Sequence, residues 1–169
     1  MTIIQLYMDI TPPLIPARLI RRYKRFLADV ELENGETMTV HTPNTGSMLG
    51  CSNPGSRIWL RDSENPKRKY RYSWDITEAA NGVLVGVNTG LPNRLVSEAI
   101  ENGIVTELQG YENIRQEVRY GSEKSRIDLL LTGSDRPDCY IEIKNVTTCD
   151  DEGYGFFPDA VSTRATKHL

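Results

Sequence analysis

The sequence predicts an α+β fold, with short strands in the first half and a helix followed by further strands in the second. Up to residue 88, apolar and polar residues alternate over short runs that are separated by turn-forming glycine, asparagine and proline. After residue 88 a helical apolar stripe appears, and two apolar runs that carry charged residues follow it. We therefore predict one domain at residues 1–88 and a second at residues 89–169.

The pattern of the first domain predicts a small barrel. Alternation over residues 26–33 leads into Asn34-Gly35, a two-residue hairpin signal, and further strands are expected at residues 37–40, 57–60, 69–76 and 83–87. About five short strands at this spacing are typical of an oligonucleotide-binding barrel. The fourth strand carries an aromatic stripe on one face, which packs in a core or stacks on bases; it consists of Tyr70, Tyr72, Trp74 and Ile76.

Two clusters of cations lie in this otherwise mildly acidic chain, which has 20 basic and 23 acidic residues. The first has no acidic residue within it and consists of Arg18, Arg21, Arg22, Lys24 and Arg25. The second mixes cations with aromatic residues and includes Lys67, Lys69 and Arg71. Local fields of this kind attract phosphates even on an acidic protein, so both clusters are candidates for DNA binding. The alternative is two solvated strand faces, and the first cluster fits a strand or a basic helix.

A candidate active site lies in two neighbouring apolar runs of the second domain. Residues 126–131 place Asp128 among aliphatic side chains, and residues 139–144 alternate so that Glu142 and Lys144 share a face. Turn formers between the runs predict a hairpin that brings Asp128 close to Glu142. The alternative is an ordinary cross-strand pair of Glu142 and Lys144 at the surface. A charge in a run apolar enough to be a buried strand favours the functional interpretation.

The chemistry of these side chains suits a divalent cation and a phosphodiester. Two carboxylates, Asp128 and Glu142, and the backbone carbonyl of Ile143 offer the hard oxygen ligands that Mg²⁺ or Mn²⁺ prefers. The Lys144 ammonium group can orient or deprotonate a water molecule and offset charge in the transition state. The pattern therefore predicts a metal-dependent phosphodiesterase site with Asp128, Glu142 and Lys144 as its catalytic residues.

Two helices are predicted in the second domain. The first covers residues 92–103, and Glu98 lies beside its apolar stripe, where it is either solvated or a further metal ligand. The second covers residues 158–169 and carries Arg164 and Lys167 on one side, which we add to the DNA-binding candidates.

Composition excludes several other classes of protein. No apolar run approaches the roughly 20 residues that span a bilayer, and the first eleven residues lack the basic start and apolar core of a signal peptide. We therefore expect a cytoplasmic protein with no membrane partner. The three cysteines are widely spaced and odd in number, so we expect reduced, structural thiols.

Five segments together resemble one known family. They are RYKRFLADV at residues 22–30, HTPNTGSM at 41–48, SRID at 125–128, RPDCYIEIK at 136–144 and FPDAV at 157–161. Over nearly the whole chain, the sequence resembles the sugar fermentation stimulation protein A family. The resemblance implies a prokaryotic DNA-binding protein associated with the regulation of sugar-utilisation genes. It also implies an N-terminal OB-like β-barrel followed by a PD-(D/E)xK nuclease-like α/β domain.

The resemblance also assigns roles to individual residues. The nuclease pattern falls on Asp128, Glu142 and Lys144, and Glu98 matches a position where some relatives carry an extra metal ligand. Family members usually continue for several dozen residues past Lys167. The resemblance therefore implies an incomplete second domain, either in a fragment of a longer product or in a homodimer that covers the open sheet.

Three functional hypotheses remain open at this point. The leading one is a DNA-binding protein with a Mg²⁺- or Mn²⁺-dependent nuclease site. The second is a non-catalytic DNA-binding regulator whose nuclease-like domain is structural or inactive. The third is a protein that binds a phosphoryl ligand without nucleic acid.

Overall fold

The computed structural model of this chain describes residues 10–80, 82–120, 125–149 and 155–156. These residues group into two units. The first contains residues 10–80 and 82–89 with 145–149 and 155–156, and the second contains residues 90–120 and 125–144. The chain thus passes from the first unit to the second between residues 89 and 90, and it returns to the first unit after Lys144.

Five strands of the first unit close into a barrel of the oligonucleotide-binding type. They are β1 (Ile15–Tyr23), β2 (Leu27–Leu32), β3 (Thr37–His41), β4 (Arg57–Asp62) and β5 (Tyr72–Glu78). Neighbours in the order β3-β2-β1-β4-β5 pair antiparallel, and a parallel pairing of His41 with Ser73 closes the barrel. A sixth strand, β6 (Leu84–Gly86), pairs with β5. The predicted barrel is confirmed.

Side chains from alternating strand positions fill the barrel. Leu19, Val30, Val40, Ile58 and Trp74 are fully buried and belong to one hydrophobic cluster. This follows from the period of two in a strand, which sends every second side chain to the same face. Trp74 therefore packs in the core, so the central residue of the predicted aromatic stripe is not available to bases.

The first basic cluster forms a strand and a tight turn rather than a helix. In β1 the buried Ala17 and Leu19 alternate with the exposed Arg18 and Ile20, and the strand pairs with β2 on one side and β4 on the other. Pairing on both sides satisfies the backbone groups that a helix would satisfy internally. The sequence leaves strand and helix open here because both periods fit, and the sheet neighbours decide between them.

The hairpin between β2 and β3 is confirmed, but its loop is longer than the dipeptide signal predicts. The Leu32 carbonyl accepts from the Gly35 N–H at 2.9 Å, and the Leu32 N–H donates to the Glu36 carbonyl at 2.9 Å. Gly35 has a φ of 82°, in the left-handed region that glycine enters without steric cost. This is the three-residue loop in which a tight turn is followed by a left-handed residue.

The second unit contains a helix and a three-stranded antiparallel sheet. The elements are α1 (Pro92–Glu101), a 3₁₀ turn (Thr106–Leu108), β7 (Asn113–Tyr120), β8 (Ser125–Thr132) and β9 (Cys139–Ile141). Strand β8 lies in the middle and contributes the buried Ile127, Leu129, Leu130 and Leu131. The burial of β8 explains why residues 127–131 are almost all apolar.

Helix α1 begins and ends where its sequence signals predict. Pro92 occupies the first turn, and Gly103, with a φ of 73°, follows the last turn and donates its N–H to the Ile100 carbonyl at 3.0 Å. The predicted apolar stripe is only partly buried, since Ile100 is 4 % exposed and Leu95 is 48 % exposed.

The segment after Lys144 is held in the first unit by hydrogen bonds. The Asn145 side-chain amide donates to the Gly86 carbonyl at 3.2 Å, and the Cys51 thiol donates to the Thr147 carbonyl at 3.2 Å. Two short strands, β10 (Thr148–Cys149) and β11 (Gly155–Phe156), then pair antiparallel. These contacts are long-range in sequence, so local patterns do not predict them.

Some predictions concern residues outside the described part of the chain. The predicted helix at residues 158–169 and its candidate DNA-binding residues Arg164 and Lys167 lie there. Among the residues that are described, no helix is both long enough and apolar enough to cross a membrane.

Candidate functional site

Asp128 lies in the middle of β8, opposite the point where β9 ends and the segment with Glu142 and Lys144 begins. Strands β8 and β9 form the predicted hairpin, and Leu129 pairs with Ile141, so Asp128 and Glu142 are next in register. Asp128 Oδ2 accepts the backbone N–H of Ile143 at 2.7 Å. A hydrogen bond to a charged group contributes about 1.5–3 kcal/mol. The Asp128 carboxylate therefore attaches the Glu142–Lys144 segment to the central strand just beyond the end of β9.

The other oxygen of Asp128 is held by α1. Asn93, the second residue of the helix, donates from Nδ2 to Asp128 Oδ1 at 3.0 Å. The same nitrogen lies 3.4 Å from Glu117 Oε1. The two carboxylates thus share one amide donor, and the partial positive charge on its hydrogens offsets part of their repulsion. Asn93 and Glu117 are residues of this site that the sequence analysis missed.

Glu117 occupies an irregular position in β7. Its neighbours Gln116 and Val118 pair with Leu129 and Ile127, which leaves Glu117 opposite Asp128. Its φ of 54° is in the left-handed region, which costs a non-glycine residue about 1–3 kcal/mol. No pattern in the sequence indicates this position, because it depends on the register of β7 against β8 and on a local backbone irregularity.

Glu142 and Lys144 form an ion pair. Lys144 Nζ donates to Glu142 Oε1 at 3.0 Å, and the two side chains are 39 % and 34 % exposed. The contact agrees with the alternation that places both side chains on one face. An ion pair this exposed contributes only about 0–1 kcal/mol to the free energy of folding. A stabilising role therefore does little to explain why these two residues are present.

Glu98 lies half-buried on α1. In the part of the chain that the structure describes, no group of three or more His, Cys, Asp and Glu side chains is arranged to hold a metal ion. The structure therefore brings Asp128 to the Glu142 segment, but it does not join Glu98 to them in one ligand cluster. The role of Glu98 as a ligand stays a prediction.

Several predicted DNA-binding residues are engaged by other groups of the first unit. Arg21 Nε donates to Asp29 Oδ2 at 2.8 Å, and Arg71 Nε donates to Asp62 Oδ1 at 2.8 Å. The hydrogen bond from Arg21 is the main cause that lowers the pKa of Asp29. Arg18 is exposed and donates to the Gly55 carbonyl at 2.8 Å. The positive charges of Arg21 and Arg71 are therefore partly neutralised by the carboxylates of Asp29 and Asp62.

Arg22 has a structural role. Its Nη2 atom donates to three backbone carbonyls, those of Arg25 at 2.7 Å and of Asn44 and Gly46 at 2.9 Å. Burial, and then repulsion from Arg25, lower its pKa from the ordinary value. Arg22 therefore fixes the turn after β1 and joins it to the loop after β3.

The other predicted cations of the first unit, together with Arg68, lie in two loops at one end of the barrel. The turn after β1 joins β3 there, because the Phe26 carbonyl accepts the Thr42 N–H at 2.8 Å. The loop after β4 reaches the same end, since His41 pairs with Ser73, which follows this loop in the chain. We call this exposed set the basic end of the barrel; it consists of Lys24, Arg25, Lys67, Arg68 and Lys69.

Comparisons with known proteins match both halves of the chain. A family model described as "SfsA N-terminal OB domain" matches residues 20–87, and one described as "Sugar fermentation stimulation protein RE domain" matches residues 90–169. Sugar fermentation stimulation protein homologs from Thioalkalivibrio sulfidiphilus and Geotalea uraniireducens are 57 % and 59 % identical over 162 residues. In both, the match covers 96 % of this chain and 68 % of the relative.

A solved structure, Pyrococcus furiosus SfsA in complex with Ca²⁺, is similar over 95 % of this chain and 66 % of its own length. Its TM-score is 0.80 and its sequence identity 27 %. The chain thus spans about two thirds of the length of these relatives. The barrel, the second sheet with its helix and the sequence identity agree, and the chain belongs to the sugar fermentation stimulation protein (SfsA) family.

Proposed function

We propose that this chain binds DNA and hydrolyses its phosphodiester bonds at a divalent-cation site built on Asp128, Glu142 and Lys144. The observation that carries the proposal is the hydrogen bond of 2.7 Å from the Ile143 N–H to Asp128 Oδ2. It holds the backbone of the Glu142–Lys144 segment beside the carboxylate of the central strand. This contact supports a site in which two carboxylates, a backbone carbonyl and an ammonium group act together.

The donor set fits a small hard cation. Mg²⁺ is commonly held by one or two carboxylates, with water and substrate phosphate as its other ligands, so a cage of three carboxylates is not required. Asp128 and Glu142 supply two carboxylates, and Ile143, whose N–H contacts Asp128, supplies a backbone carbonyl in the proposed ligand set. The Ca²⁺ complex of the Pyrococcus furiosus relative supports a divalent cation in this family. When bound, Mg²⁺ or Mn²⁺ would supply positive charge to the phosphoryl oxygens and lower the pKa of a water molecule.

The residues of the chain itself have distinct tasks in this proposal. Asn93 and the Ile143 N–H each occupy one lone pair of the Asp128 carboxylate and fix its orientation, which leaves further lone pairs for a cation. Lys144 lies 3.0 Å from Glu142 Oε1, so its ammonium group is next to a proposed ligand. From this position it can donate a hydrogen bond to a water molecule or a phosphate oxygen as negative charge develops.

The basic end of the barrel is the proposed docking surface for the DNA backbone. The net charge of the chain is −3, so attraction to a polyanion must come from a local group of cations. The cations of the basic end are exposed, whereas Arg21 and Arg71 are paired with carboxylates. Contacts of cations with phosphates release counterions, which makes binding strongly dependent on salt.

A second candidate is a DNA-binding regulator without catalysis. The observation that favours it is that, among the described residues, no three carboxylate, histidine or cysteine side chains gather at one point. In this alternative the Lys144–Glu142 pair and the Asp128 hydrogen bonds have only a structural role. Both candidates keep the DNA-binding barrel, so only the cation site distinguishes them.

One experiment separates the two candidates. The protein is incubated with supercoiled plasmid and with single-stranded DNA in Mg²⁺, Mn²⁺ or EDTA, and the products are resolved on gels. We expect nicking or degradation with Mg²⁺ or Mn²⁺, none with EDTA, and none for Asp128→Asn under any condition. Binding without cleavage in every metal would favour the regulator, and cleavage by Asp128→Asn at the wild-type rate would exclude this site.

A further inference from the structure

We propose that the basic end of the barrel binds a single, unpaired DNA strand, with the rings of Phe26 and Tyr70 as stacking surfaces for its bases. The inference rests on the proposed DNA binding and adds which form of DNA the barrel takes. It is independent of the cation site, because all of the residues concerned belong to the first unit.

Phe26 is presented to solvent by a turn that is held in place. Its side chain is 47 % exposed although it is large and apolar. Its N–H donates to the Lys24 carbonyl at 2.8 Å, and its carbonyl accepts the Thr42 N–H at 2.8 Å, so its backbone is fixed on both sides. An exposed phenylalanine on a fixed backbone loses little entropy on binding, which suits a recognition role.

The backbone of this turn is strained and externally supported. Lys24 and Arg25 have φ values of 49° and 64°, which cost non-glycine residues about 1–3 kcal/mol each. The hydrogen bond of 2.7 Å from Arg22 Nη2 to the Arg25 carbonyl stabilises this conformation. The result is a preformed turn in which Lys24, Arg25 and Phe26 are all exposed.

Tyr70 lies in the loop after β4, which is also closed at its base. The Ser63 N–H donates to the Arg71 carbonyl at 3.0 Å, and Arg71 is paired with Asp62. Within this loop Tyr70 is half-exposed, and Lys69 Nζ lies over one face of its ring, 5.4 Å from the ring centre. A cation over one face of an aromatic ring offers a phosphate contact, and the opposite face of the ring is the one proposed for stacking on a base of the same DNA strand.

The two rings lie at the same end of the barrel. The Phe26 carbonyl accepts a hydrogen bond from the Thr42 N–H. His41, the residue before Thr42, pairs with Ser73 at the start of β5. Tyr72, two residues after Tyr70, pairs with Asp62 next to Ser73. In oligonucleotide-binding barrels, the loops between the first two and the last two strands commonly contact the ligand, and these are the loops that carry Phe26 and Tyr70.

The combination of rings and cations favours an unpaired strand over a duplex. Cations bind the backbone of either form, but an aromatic face can stack only on a base that is not already stacked within a duplex. Stacking on a side chain is worth about 1–3 kcal/mol per base. Two such rings therefore favour the single strand, in opposition to the higher charge density of duplex DNA.

The test is fluorescence anisotropy in EDTA, where cleavage cannot occur. The probes are a labelled oligothymidine of about 15 nucleotides, within the usual site size of such a barrel, and a blunt duplex of the same length. We expect tighter binding of the single strand by the wild-type protein. Phe26→Ala and Tyr70→Ala should each weaken single-strand binding roughly 5- to 150-fold, the equivalent of one lost stacking contact, and change duplex binding less than about twofold.

Two controls make the result specific. Phe26→Trp keeps a stacking face and should retain single-strand affinity, which separates stacking from damage to the turn. Leu49→Ala removes another exposed apolar side chain of the same unit and should leave both affinities unchanged. Circular dichroism of each variant checks the fold.

The possible failures are distinguishable. Equal or tighter binding of the duplex, or unchanged single-strand affinity in both alanine variants, would overturn this inference while leaving the proposed DNA binding intact. Absence of binding to either probe at low salt would overturn both proposals.

Discussion

The backbone N–H of Ile143 donates to Asp128 Oδ2 at 2.7 Å, and this bond joins the central strand of the second unit to the segment that carries Glu142 and Lys144. Asp128 thus has a structural task in addition to the proposed chemical one. Substitutions that separate the two tasks provide the first prediction.

Asp128→Ala should destabilise the protein, and Asp128→Asn should not do so to the same extent. Alanine leaves the Ile143 N–H without its acceptor, which costs about 1–3 kcal/mol, whereas asparagine keeps a carbonyl oxygen of the same size. Both variants should lose Mn²⁺ binding, because the charge is gone. Urea unfolding measures the stability, and electron paramagnetic resonance of free Mn²⁺ measures the binding. Wild-type Mn²⁺ affinity in Asp128→Asn would remove Asp128 from the ligand set.

Asn93→Ala should weaken cation binding while the fold is retained. The Asn93 amide donates to both Asp128 and Glu117 and thereby orients the Asp128 carboxylate. Loss of a supporting contact of this kind lowers metal affinity about 10- to 100-fold. The matched control is Arg94→Ala, which alters the exposed neighbour on the same helix. Mn²⁺ titration monitored by the same resonance is the measurement. Equal affinities of the two variants would mean that the Asn93 contact is only structural.

Glu142→Ala and Lys144→Ala should each abolish cleavage while DNA binding survives. The ligand and the ammonium group stabilise the transition state more than the docked substrate, so kcat should fall and the affinity in EDTA should not. Gel assays with Mg²⁺ report cleavage, and anisotropy in EDTA reports binding. Cleavage by both variants at the wild-type rate, or activity that EDTA does not affect, would rule this site out.

The salt dependence of DNA binding should follow the exposed cations rather than the whole first cluster. On duplex DNA, log Kd changes with log salt by about 0.9 per phosphate neutralised, so Arg25→Gln with Arg68→Gln should flatten the slope by roughly 1–2 units. Arg71→Gln is the matched control and should change the slope less, because Asp62 already neutralises Arg71. Anisotropy over a salt series measures the slope. An unchanged slope in the double variant would place the DNA elsewhere.

The stability of the protein should fall in acid partly through Asp29. Hydrogen bonds from Arg21 and Thr39 lower the pKa of Asp29 below its ordinary value of 3.8. Ionised Asp29 therefore stabilises the fold at pH values above 3.8, and this contribution is lost as the pH falls further through the folded-state pKa. Urea unfolding between pH 6 and pH 3 should show a steeper loss for the wild type than for Asp29→Asn. Parallel curves would show that Asp29 makes no such contribution.

Local signals in the sequence predict most of the barrel strands, helix α1 and the hairpin of the candidate site, while they leave β1 open between strand and helix. The alternation around Val30 predicts a barrel strand because a strand repeats every two residues, and Pro92 and Gly103 mark the limits of α1 because of their backbone preferences. The hairpin of Asp128 and Glu142 follows from two apolar runs with a short turn between them. Each of these features depends on neighbours within a few residues.

The tertiary structure alone decided which side chains meet. Asn93 and Glu117 reach Asp128 only through the packing of α1 and the register of β7, and neither leaves a periodic signal. The cations of the first cluster looked alike in the sequence, yet Arg22 is bound to three carbonyls while Arg25 faces solvent. Such differences arise from contacts between residues far apart in the chain, whose energies depend on burial and geometry that local patterns do not encode.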